Sequence, residues 1–375
     1  MAKNAAQELI KLGQSIWYDN ISRELINSGE LERLINEWGV RGITSNPTIF
    51  DNAISKSDVY DEAISALKSK GLTPDQVFET LAIEDIGKAA DILIPIYNDS
   101  NGEDGFVSIE VSPLLASDTQ GTINEALRLH KQLSRPNIMI KVPGTDEGIP
   151  AIYELLKQGV SVNVTLLFSV ENYVEVAETY CKALEDRLKN GDPVDKIRSV
   201  ASFFVSRVDS SVDKILGEIV AKGDGEQSSL AKDLLGKFGI ANSKLAYQEF
   251  LKLFGGSSFS ELSANGAAPQ RPLWASTSTK NPDYRDVLYV EQLIGENTVN
   301  TVPHDTLEAF VDHGVAELTL NKEVEEAQSV KEQLLGLGVN LIKVLEDLQE
   351  EGVQKFANSF KDLNATIEKQ LSIEA

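Results

Sequence analysis

Apolar residues along this chain recur in two alternating rhythms. Short runs, either alternating with period two or wholly apolar, occur at 15–20, 42–49, 106–111, 137–142, 161–168, 200–205, 273–276 and 298–302, and each predicts a β-strand. Between most of them lie stretches whose apolar positions return every three or four residues, at 30–38, 119–133, 148–157, 170–189, 210–220, 284–294 and 306–313. These predict helices. Strands separated by helices over most of the chain match a (β/α)8 barrel better than an open doubly wound sheet. An open sheet would also carry a Gly-x-Gly-x-x-Gly or a phosphate-binding loop near its first strand, and neither occurs.

The remaining segments read as additions to that barrel. Residues 59–97, between the second and third strands, predict a helical insertion. Residues 254–271, with Gly255-Gly256-Ser257-Ser258 and Asn265-Gly266, predict a long loop leading into the seventh strand. From residue 321 onward the chain is charged and helical, at 324–337, 341–350 and 353–371. The expected division is a catalytic barrel at 1–320 and a C-terminal helical extension at 321–375. That extension would pack on the barrel and offer a contact for a homo-oligomer.

Composition narrows the function classes. The 375 residues, 42% hydrophobic and 25% charged, are ordinary globular values. A net charge of −23 argues against nucleic acid as a partner, because phosphate backbones attract basic surfaces. It also means that an anionic substrate must be met by a few locally placed cations. One cysteine, Cys181, and three scattered histidines, His130, His304 and His313, predict neither a disulfide nor a metal centre. The start, Met1-Ala2-Lys3-Asn4, lacks an apolar signal core and no run approaches membrane-spanning length, so a cytoplasmic protein with no membrane partner is expected.

The candidate chemistry begins in the fourth strand, Asn137-Ile138-Met139-Ile140-Lys141-Val142, which Pro143-Gly144 stops. Alternation puts Ile138, Ile140 and Val142 on one face and Met139 and Lys141 on the other. Removing a lysine from water disfavours its charged form, which is how an amine becomes a nucleophile able to form a Schiff base. An isolated Ile-Lys-Val is more often an edge-strand lysine reaching solvent. The other strands shift that balance, because their ends carry Asp19, Asn46, Ser108 with Glu110, Asn163 with Thr165, Ser202 with Arg207, and Ser276 with nearby Lys280. In a barrel these ends converge on one mouth. The set supports covalent amine catalysis on a carbonyl. Lys141 would form an iminium with a ketose, and Asp19 would take a hydroxyl proton as a carbon–carbon bond breaks. Glu110 with Thr165 would activate water to form and hydrolyse the imine.

Four stretches resemble the transaldolase family, in its order: Gly42-Ile43-Thr44-Ser45-Asn46-Pro47-Thr48, Ile140-Lys141-Val142-Pro143-Gly144-Thr145, Val162-Asn163-Val164-Thr165-Leu166-Leu167-Phe168-Ser169 and Trp274-Ala275-Ser276-Thr277. The resemblance runs from about Ile16 to His304, and the length is similar to the branch with an extended C-terminus. It implies a class I aldolase-like TIM barrel that moves a dihydroxyacetone unit between sugar phosphates in the non-oxidative pentose phosphate pathway, with neither metal nor organic cofactor. Position by position, Lys141 matches the Schiff-base lysine, Asp19 the acid–base aspartate, and Glu110 and Thr165 the water-activating pair. Asn46 and Asn163 match residues that hold the dihydroxyacetone hydroxyls, Ser202 lines the same pocket, and Arg207 matches a phosphate-binding arginine. Many members carry Ala-Ser-Phe-Arg after the seventh strand. Here Ala275-Ser276-Thr277-Ser278 puts serine at the arginine position, so the second cation is expected from Lys280, together with Ser276. Two alternatives stay open: a Schiff-base aldolase that releases its product freely, and a non-catalytic barrel acting as an interaction scaffold.

Overall fold

The computed structural model describes residues 4–223 and 225–372. Residues 1–3, on which the reading of the N-terminus rests, and 373–375, which end the C-terminal extension, lie outside the described residues. Eight parallel strands close into a barrel in chain order: β1 Gln14–Tyr18, β2 Gly42–Ile43, β3 Phe106–Glu110, β4 Ile138–Pro143, β5 Val162–Leu167, β6 Ser199–Phe204, β7 Arg271–Ala275 and β8 Thr298–Val302. The barrel closes where β1 pairs with both β2 and β8. With helices between successive strands, this is the (β/α)8 architecture that the alternating rhythm predicts.

Alternation along each strand divides two apolar sets. Ile138, Ile140, Val142, Val162 and Val164 join the large core formed with the surrounding helices. Trp17, Phe106, Met139, Val200, Leu273 and Val299 belong to a second cluster that fills the barrel interior. The Trp17 ring takes so much of that interior that a Cβ on Gly42 would lie 2.7 Å from it, so β2 needs glycine there. Below the tryptophan, Asp104 accepts hydrogen bonds from Ser15 Oγ (2.6 Å) and Trp17 Nε1 (3.1 Å) and pairs with Arg271 (3.2 Å). Charge therefore seals the bottom of the barrel.

Several elements differ from the sequence expectation. The second strand ends at Ile43, and residues 44–49 leave it: Asn46 caps the helix Pro47–Ser55, its Oδ1 accepting from Ile49 N (3.1 Å), with Pro47 in the first turn. An asparagine cap followed by proline is a helix start, and it overrides the apolar run. Between β2 and β3 lie the helices Asp61–Lys68 and Pro74–Asp99. The expected loop at 254–271 is mostly helical, holding the end of Phe238–Gly255, a 3-10 turn at Ser257–Phe259 and the helix Ser260–Ala264 before β7. Phe238–Gly255 has no clean apolar stripe to announce it, because Asn242, Ser243 and Lys244 are buried along with Phe238, Tyr247 and Phe250. The helix expected at 284–294 shrinks to Leu288–Gln292, while that expected from 210 starts at Ser206.

The two helices expected at 341–350 and 353–371 are one continuous helix, Leu341–Ser372. Gly352 does not break it; a Cβ there would lie 2.8 Å from Leu166 Cδ2, so the glycine permits a close approach to β5. Three residues earlier, Gln349 Nε2 donates to the carbonyls of Gly144 (3.1 Å) and Leu166 (3.0 Å). On the other flank Thr48 Oγ1 donates to Ser359 Oγ (2.8 Å). The helix is thus pinned across the C-terminal mouth of the barrel. Among the described residues no helix is long and apolar enough to cross a membrane.

Candidate active site

Lys141 projects inward near the end of β4 and is 5% exposed. Parallel pairing places Glu110 of β3 opposite it on one side and Asn163 of β5 on the other. Its ammonium donates to the Ser45 carbonyl (3.2 Å) and lies 3.4 Å from Glu110 Oε2. Burial pushes the Glu110 carboxyl above its ordinary range; Lys141 opposes that shift and Asp19 adds to it. The Phe356 ring of the C-terminal helix covers the lysine, its centroid 5.5 Å from Nζ.

Asp19 follows β1 directly, its N–H donating to Val302 O (2.9 Å). Its Oδ1 accepts from Thr44 Oγ1 (2.7 Å), which sits 2.6 Å from Thr301 Oγ1. Desolvation raises the Asp19 carboxyl, and Lys141, the Thr44 hydrogen bond, Arg207 and Lys280 pull it back only in part. Thr165 is fully buried at an irregular stretch of β5, where the pairing register shifts between Val164 and Leu167 and Leu166 takes a positive φ of 61°. Among the described residues neither Thr165 Oγ1 nor the Glu110 oxygens, apart from the Lys141 ion pair, have a hydrogen-bond partner, which leaves their capacity for a reacting molecule.

Eight of the ten residues expected from the sequence line one cavity of about 250 Å³: Asp19, Asn46, Lys141, Thr165, Ser202, Arg207, Ser276 and Lys280. Glu110 stands beside it through Lys141. Asn163 lies deeper, with its amide engaged at both ends: Nδ2 donates to Ser108 Oγ (3.0 Å) and Oδ1 accepts from Ser202 Oγ (2.7 Å). Asn46 uses its oxygen as a helix cap, so its amide nitrogen is what remains to donate toward the cavity. Arg207 sits in the first turn of Ser206–Ala221 with its guanidinium 5.0 Å from the Phe204 ring. Ser276, at the end of β7, takes a left-handed φ of 56° and pairs its hydroxyl with that of Ser206 (2.9 Å).

Sequence reasoning did not name several of the other lining residues, among them Thr44, Thr301, Lys355 and Phe356. Thr44 lay inside a quoted motif at a strand end, and that position was the available signal. Lys355 and Phe356 had none, since only the docking of the C-terminal helix brings them to the mouth.

A parallel barrel whose strand ends bring a buried lysine and two carboxyl groups together is a barrel of the aldolase type. Residues 16–367 match the family model described as Transaldolase/Fructose-6-phosphate aldolase. The chain is 45% identical over 374 residues to the transaldolase of Trichodesmium erythraeum, covering 99% of this chain and 98% of that one. It is 44% identical to transaldolase 2 of a Nostoc species over 100% of this chain and 99% of that one. It is 45% identical to the transaldolase of Thiobacillus denitrificans over 97% and 99%. The chain belongs to the transaldolase/fructose-6-phosphate aldolase family.

Proposed function

We propose that the protein is a transaldolase, moving a dihydroxyacetone unit from sedoheptulose 7-phosphate to glyceraldehyde 3-phosphate to give erythrose 4-phosphate and fructose 6-phosphate. The Lys141 amine adds to the ketose carbonyl, and loss of water leaves an iminium. Asp19 takes the proton of the hydroxyl two carbons from that centre. The bond between that hydroxyl-bearing carbon and the carbon next to the iminium then breaks, its electron pair passing into the iminium to form an enamine, and the shortened aldose leaves. The enamine attacks the incoming aldehyde, Asp19 returns the proton, and water activated by Glu110 and Thr165 hydrolyses the new iminium.

The observation that carries this reading is the placement of buried Lys141 beside Glu110, on the cavity that Asp19 also lines. The cover that Phe356 provides supports transfer over simple aldol cleavage, because an enamine screened from water persists until an acceptor arrives. Arg207, Lys280 and Ser276 at the cavity wall supply the charge and hydroxyl that a sugar phosphate needs. The same reading places the protein in the cytoplasm, in the non-oxidative pentose phosphate pathway. Incubation with fructose 6-phosphate and borohydride tests it. A stable adduct on Lys141 and erythrose 4-phosphate-dependent transfer are expected. Free dihydroxyacetone released equally fast without acceptor would mark an aldolase. No adduct, with Lys141→Ala still active, would overturn the mechanism.

A further inference from the structure

Besides Lys141, which pairs with Glu110, three cations line the cavity, and among the described residues no carboxylate lies within ion-pair distance of them: Arg207, Lys280 and Lys355. In a chain of net charge −23, such a cluster leaves a local positive field open to an anion. Lys280 donates to Ser278 Oγ (2.6 Å), another lining residue, so a hydroxyl stands among the charges. The Lys355 ammonium is held below its ordinary range by Arg207 first, then by burial and by Lys280. An incoming phosphate relieves that mutual repulsion.

Lys355 belongs to a rigid element. One side of its helix is anchored at the ends of β4 and β5 through Gln349 and Gly352, and the other by the Thr48–Ser359 hydrogen bond. Its immediate neighbour Phe356 lies over Lys141. The turn that covers the reacting lysine therefore also presents a cation at the cavity wall, so a substrate bound at Lys141 reaches both. The segment after β7, Ser276-Thr277-Ser278, contributes hydroxyls and no charge to this wall, while Lys355 reaches it from another part of the chain.

We propose that Lys355 is a phosphate-binding residue acting with Arg207 and Lys280, so that the C-terminal helix sets the preference for phosphorylated over unphosphorylated sugars; this rests on the transaldolase reading of the same cavity. The test uses the full chain with Lys355→Gln, Lys355→Arg and, as a control on an exposed position of the same helix, Lys361→Gln. Charge-assisted hydrogen bonds have a size that predicts a roughly 10- to 100-fold fall in the ratio of kcat/KM for fructose 6-phosphate to that for fructose in Lys355→Gln. The fall should appear mainly in KM, with a parallel weakening of competitive inhibition by inorganic phosphate. Lys355→Arg should recover most of both, and Lys361→Gln should match the parent. An unchanged ratio, or inhibition by phosphate that is absent from the parent or indifferent to Lys355, would overturn the proposal. If the parent forms no borohydride adduct on Lys141 while phosphate binding still depends on Lys355, the transaldolase reading fails and the anion site stands.

Discussion

Lys141 Nζ and Glu110 Oε2 face each other at 3.4 Å on adjacent strands, with their side chains only 7% and 4% exposed. Desolvation of such a pair commonly outweighs its attraction, which makes it a weak device for stability. Here desolvation does win at the carboxyl, whose affinity for protons is raised despite the lysine beside it. A carboxyl that takes up and releases a proton readily is what imine formation and hydrolysis require.

Glu110→Gln keeps the shape and removes the proton carrier. The rate of imine formation, read by timed borohydride trapping on Lys141, should fall by ~10²-fold or more. Trapping at the parent rate would remove Glu110 from the role.

Asp19→Asn should still form the trapped imine, while turnover falls by ~10²- to 10⁴-fold. The pH profile carries a second signature. Asp19 must be ionised to accept the hydroxyl proton, and burial raises its affinity for protons. Activity is therefore lost as pH falls through a value above the usual carboxylate range. The acid limb of kcat/KM should sit there, and should vanish from the residual activity of Asp19→Asn.

Gly42→Ala tests the packing of the barrel interior. The added methyl group meets the fully buried Trp17 ring at 2.7 Å, between strands that cannot separate without breaking the closed ladder. A destabilisation of ~1–3 kcal/mol is expected, read as a lower Tm by calorimetry. An unchanged Tm would show that the tryptophan has room to shift.

Asp209, in the first turn of Ser206–Ala221, is buried and accepts a hydrogen bond from Gly239 N. Burial, with Asp213 adding, pushes its carboxyl up to about 7. Between about pH 4 and 7 the folded chain keeps a proton that the unfolded chain has released, so stability falls as pH rises through that window, by about 4 kcal/mol in all. Asp209→Asn abolishes this component. The Tm difference, variant minus parent, should grow from pH 4 to pH 7 and level off above it. A difference independent of pH would sink the assignment.

Much of this was legible in order along the chain. The strand that carries Lys141 announces itself by period two, and the same period puts Met139 and Lys141 on the inner face. Asp19, Thr165 and Ser202 could be named because polar residues at the ends of apolar strands stand out locally. Helix Phe238–Gly255 was hidden, because its buried Asn242, Ser243 and Lys244 erase the stripe that marks a helix. Asn163 could be named as a polar residue of the fifth strand, but its hydrogen bonds to Ser108 and Ser202 depend on two other strands and had no local sign.

Local patterning by itself determined the barrel, the inward lysine and the strand-end acids, since each depends on alternation within a few residues. Only the tertiary structure decided that Glu110 and Lys141 are paired in register, because register depends on how separate strands meet. Only it brought Phe356 over the lysine and Lys355 to the cavity wall. Those two arrive from more than two hundred residues away, through a helix whose docking depends on Gly352 and Gln349 meeting the ends of β4 and β5. Contacts of that range carry no periodic signal, because the chain between them is free to place the helix elsewhere until the packing chooses.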